Sequence, residues 1–127
     1  TAIGARQPLI AFNVNLATDD VQIAKNIAKK IRESSGGIPH VKSIGIIVNG
    51  LAQVSLNITN YQLAPIAYVV EMIAKEAIYH NVKISHSEIV GLIPKDSVID
   101  SHKWHMPKHT EISKYILENH LQYVNKL

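Results

Sequence analysis

The stretch "VKSIGIIVNGLAQVSLNIT", Val41 to Thr59, decides the fold. It holds two strand-like runs separated by Asn49 and Gly50, and a two-residue Asn-Gly connection is the strongest short signal for a hairpin. A type I′ turn needs positive φ at both central positions, which these two residues accept with least strain. The second run alternates cleanly: Ala52, Val54, Leu56 and Ile58 fall on one side, Gln53, Ser55, Asn57 and Thr59 on the other. Side chains alternate across a strand, so one face is greasy and the other carries amides and hydroxyls without charge.

Working outward, "LIAFNVNL" (Leu9 to Leu16) repeats the pattern, with Ile10, Phe12, Val14 and Leu16 opposed to Leu9, Ala11, Asn13 and Asn15. Asparagine is depleted in strands because it favours turns and local backbone bonds. Two in register therefore point to a role beyond solubility, although a wetted sheet face remains the plain alternative.

Between these strands, Thr18, Asp19 and Asp20 offer a helix N-cap. Ile23, Ala24, Ile27, Ala28 and Ile31 follow at helical spacing, predicting a helix to about Ser34 that "SSGG" ends. After the hairpin, Pro65 suits a first helical turn, and Ile66, Val69, Val70, Ile73, Ala74 and Ala77 form its stripe, with His80 and Asn81 closing it. "KISHSEIVGLIP" supplies a fourth strand ending by Pro94. A short helix is expected from Asp96 to about His102, then a connector "KWHMPKH". A terminal helix capped by Thr110 would carry Ile112, Ile116, Leu117, Leu121 and Val124.

The order βαββαβ is the ferredoxin-like, α+β arrangement: a four-stranded antiparallel sheet with two long helices on one face and additional C-terminal helices. Right-handed crossovers place the first and third strands side by side at the centre. Asn13, Asn15, Gln53, Ser55 and Asn57 then form one floor on the helix-free face. Unpartnered amides under a dry layer would cost about 1–3 kcal/mol each, so the floor is expected to be wet or covered by something polar. Amides offer a donor and an acceptor each and suit a neutral heterocycle or an amide-bearing ligand.

At 127 residues the chain is expected to form a single domain, with a core over 8–94 and a helical tail over 95–127. It has no cysteine, no apolar run of membrane-spanning length and no secretory signal, which fits a cytoplasmic protein without disulfides. A net charge of +3 lacks the clustered basic residues of a nucleic-acid footprint, and the central strands lack the stacking aromatics of an RNA-recognition domain. His102, His105 and His109 straddle Pro107 without an acidic or cysteine companion, so no metal is expected.

The blocks "IGARQPLIAFNVNL", "IAKNIAKKIRESSGGIPHVKSIGI", "AQVSLNITNY" and "SEIVGLIPKDSVID" resemble the C-terminal subdomain of the glutamate formimidoyltransferase family (formiminotransferase-cyclodeaminase and its single-domain relatives). The resemblance covers roughly residues 3 to 100; the segment after Asp100 is poorly matched. It implies two similar α/β subdomains with a folate-binding cleft between them, and transfer of a formimino group from N-formimino-L-glutamate to N5 of tetrahydrofolate. The family's catalytic histidine belongs to the preceding subdomain, so this chain alone is expected to be inactive and to need that half as a partner. His40 and His86 are expected to be able to reach the ligand face, but neither replaces the family's missing catalytic residue. Arg6 is expected to meet a carboxylate of glutamate or folate, and Glu88 lies where the resembling sequences carry Glu or Gln. A non-catalytic ferredoxin-like module diverged from the enzyme is the alternative. Where the other subdomain is absent, self-association through the uncovered floor is expected.

Overall fold

The computed structural model describes residues 9–32, 34 and 36–120. Six main elements follow the expected order: β1 (Ile10–Leu16), α1 (Val21–Ile31), β2 (Val41–Val48), β3 (Leu51–Ile58), α2 (Ile66–Tyr79) and β4 (Ile84–Val90). The sheet runs β2-β3-β1-β4, each neighbour antiparallel, so β1 and β3 are central.

The hairpin closes through Asn49 and Gly50 at φ 51° and 79°, the positive values a type I′ turn requires. Val48 faces Leu51, and the register carries down to Lys42 opposite Asn57. On the helix side, Ile10, Phe12, Val14 and Leu16 meet Ala52, Val54, Leu56 and Ile58, and both helices seal them into one core. Asn81 takes φ 57° just past α2, as its tolerance of the left-handed region allows.

Asp20 caps α1, its carboxylate accepting from the Gln22 N–H at 3.0 Å. Asp20→Ala is expected to lower stability by about 1 kcal/mol, read as a shifted urea midpoint with unchanged slope.

Three expectations need correction. α1 stops at Ile31, not near Ser34, because Arg32 turns extended and the returning chain takes the helix's last carbonyls. Ile38 N–H donates to Ile31 C=O at 2.8 Å and Gly37 N–H to Arg32 C=O at 3.0 Å. Only glycine fits at 37, since a Cβ there would lie 2.4 Å from the Ile31 oxygen. The short helix from Asp96 is instead two 3₁₀ turns, Lys95–Ser97 and Ser101–Lys103, parted by Asp100 in the left-handed region at φ 52°.

The single terminal helix from Thr110 is likewise broken. Ile112–Tyr115 form a 3₁₀ turn and Ile116 is extended, because Ile93 claims the backbone on either side. Its N–H donates to Tyr115 C=O at 2.7 Å and its C=O accepts from Leu117 N–H at 2.8 Å. Residues 117–120 are helical; Leu121 and Val124 lie outside the described residues.

Trp104 in the connector is fully buried and meets Phe12 edge-on, the ring centroids 5.8 Å apart at 83°. His105 C=O accepts from Ser87 N–H at 2.8 Å, so this connector covers part of the outer edge of β4.

Candidate functional site

The antiparallel registers set Asn13 opposite Ser55 and Glu88, and Asn15 opposite Gln53 and His86. Polar side chains from three adjacent strands thereby share the helix-free face. The floor is not open throughout: Asn15 and Gln53 are only 3% and 2% exposed. They tolerate burial because they satisfy each other. Gln53 Nε2 donates to Asn15 Oδ1 at 2.9 Å, and Asn15 Nδ2 donates to Glu88 Oε1 at 3.2 Å.

The same Asn15 nitrogen lies 3.3 Å from His86 Nε2. On the other side of the ring, His86 Nδ1 lies 3.0 Å from Ser85 Oγ. Ser85 reaches that place because the β1–β4 register shifts between Asn15 and Leu16, leaving Ser85 without a partner on β1. His86 Nε2 and Glu88 Oε1 stand 3.6 Å apart.

Around this closed centre the floor opens. Asn13 and Ser55 are half-buried and Asn57 is exposed. A depression of about 110 Å³ beside them is lined by Lys42, Ile44, Ser55 and Asn57. Lys42 supplies a cation at this end, and the apolar Ile44, Leu9 and Val90 stand exposed around the amides. The structure thus brings together Asn13, Asn15, Gln53, Ser55, Asn57 and Glu88. Arg6 lies outside the described residues.

Lys42 joins the site without having been singled out for it, and His86, expected only to reach the ligand face, stands at its centre. Lys42 is legible from the hairpin, since a two-residue turn at 49 and 50 pairs 42 with 57. Among the described residues no three His, Cys, Asp or Glu side chains are grouped to hold a metal ion, and no helix is long and apolar enough to cross a membrane.

Fold and floor together define a ferredoxin-like α+β domain with an amide-rich face on its open sheet. Residues 11–124 match the formiminotransferase domain family, and the chain belongs to that family. It is 43% identical over 124 residues to a protein named glutamate formimidoyltransferase from Streptococcus pyogenes, covering 95% of this chain and 42% of that one. The protein of the same name from Thermoplasma acidophilum is 42% identical over 106 residues, covering 82% and 35%. Formimidoyltransferase-cyclodeaminase from Dictyostelium discoideum is 36% identical over 113 residues, covering 83% and 21%. The chain thus spans about two-fifths of the first of these relatives and a fifth of the last.

Proposed function

We infer that this chain is the folate-binding half of a glutamate formimidoyltransferase, acting in the transfer of a formimino group from N-formimino-L-glutamate to tetrahydrofolate. The names of the relatives support the reaction, and one structural observation supports the binding role. The chain Gln53, Asn15 and Glu88 with His86 crosses three strands and holds its amides in fixed orientation on the uncovered face.

A pterin ring presents alternating donors and acceptors along its edge. Asn13, Ser55 and Asn57, with the half-exposed carboxylate of Glu88, are free to answer them in kind. Lys42 offers a positive charge to a glutamyl carboxylate, the role proposed for Arg6 as well. The proton-transferring histidine belongs to an N-terminal half, as the resemblance implies. What this sheet contributes is fixed geometry, which can supply a large part of a group-transfer barrier. The setting would be cytoplasmic one-carbon metabolism and histidine degradation.

The test is reconstitution. The chain alone is expected to bind 5-formyltetrahydrofolate weakly in calorimetry and to catalyse no transfer. Adding the N-terminal half of the Streptococcus relative should restore formation of 5-formiminotetrahydrofolate. Absence of product from a mixture shown to associate would favour a diverged, non-catalytic module.

A further inference from the structure

At the β2 edge of the sheet, Gln22, Lys25 and Lys29 of α1, with Arg32 just past its end, recur at the spacing of a single helix face and line a depression with Ile44 and Gly45 of β2. They overhang the strand closely because β2 is small there. A Cβ on Gly45 would lie 2.3 Å from the Lys25 nitrogen, and the Ser43 hydroxyl donates to Ala28 C=O at 2.7 Å. The helix backbone therefore rests directly on β2.

Among the described residues, the outer edge of β2 is open. Thr59 N–H donates to His40 C=O at 2.9 Å, which makes Val41 and Ile58 a non-hydrogen-bonded pair and fixes the alternation beyond it. Lys42, Ile44, Ile46 and Val48 thus direct their N–H and C=O groups to β3. Ser43, Gly45 and Ile47 direct theirs outward, and no described residue pairs with them. Two adjoining depressions of about 410 and 430 Å³ follow this edge, and no described carboxylate lines either one. Lys25, Lys29 and Lys42 are exposed there.

We propose that the free edge of β2 takes an extended acidic segment of another polypeptide as a fifth strand. Its backbone pairs with Ser43, Gly45 and Ile47. Its alternate side chains reach Lys25 and Lys29 above the sheet and Lys42 below it. Charge selects this occupant over a second copy of the chain: two β2 edges joined about a two-fold axis would bring two lysine stripes together with no described carboxylate lining either to neutralise them.

The probe is an end-blocked fluorescent peptide alternating glutamate and valine, titrated into the full chain and followed by anisotropy, with a lysine-valine peptide as control. The glutamate peptide should bind, the control should not, and the amides of Ser43, Gly45 and Ile47 should gain protection from hydrogen exchange. Lys25→Glu with Lys29→Glu should weaken binding about tenfold or more. Ile47→Pro, which removes one outward N–H at an edge position where proline is tolerated, should weaken it too. The proposal is lost if the glutamate peptide fails to bind at about 1 mM, in which case the lysines merely guard the edge. Affinity indifferent to the lysine reversal, or the same amides protected without peptide in a self-associated protein, sinks it equally.

Discussion

Replacing Trp104 by alanine is expected to destabilise the domain by about 3–5 kcal/mol, the range for emptying a packed aromatic site. The indole is wholly buried against Phe12, itself wholly buried under the centre of β1. It is also a peg. The Trp104 backbone N–H donates to Ser101 C=O at 3.1 Å, and the next residue's carbonyl holds the Ser87 amide of β4. Emptying the site should therefore loosen the connector as well as the core, and the Ser87 amide should exchange faster. Trp104→Phe separates packing from polarity. The indole N–H finds no partner within the described protein, so phenylalanine keeps the edge-on contact and removes a buried unsatisfied donor. Its loss should be far smaller, roughly 1–2 kcal/mol by urea denaturation. Equal losses from the two variants would show that the peg acts through its N–H.

How much of this could be read in advance depends on the range of the interaction. The Asn-Gly turn is local chemistry, so the hairpin, its register and the partner of Lys42 follow from the sequence. Alternation also assigns Asn13, Asn15, Gln53, Ser55 and Asn57 to one face. It cannot give their depth. Asn15 is buried because Gln53, 38 positions away, and Glu88, 73 positions away, meet it there. His86 depends further on the shifted register at Ser85, which no local pattern announces. The C-terminal segment shows the same limit from the other side. Ile112, Ile116 and Leu117 have helical spacing, yet the backbone of Ile93 bonds to the residues flanking Ile116 and pulls it extended. Likewise α1 ends where Ile38 returns to it, three residues before its sequence loses helical character.

Asn15→Leu tests whether the floor's centre serves the fold, the ligand or both. Leucine leaves the Gln53 amide nitrogen buried without an acceptor, a loss of about 1–3 kcal/mol in stability. The double variant Asn15→Leu with Gln53→Leu removes both partners together. Apolar groups of similar size then face each other, and stability should recover in part, giving a coupling of about 0.5–3 kcal/mol between the two positions. Folate binding is expected not to recover. Without Asn15, Glu88 loses its 3.2 Å donor and His86 the amide beside its ring, so both side chains are free to turn away from the ligand. Stability and affinity should thus separate in one pair of variants, denaturation reporting the first and calorimetry with 5-formyltetrahydrofolate the second. A double variant that regained both would mean that Asn15 and Gln53 only fill the sheet, and that the ligand is held by the outer residues Asn13, Ser55 and Asn57.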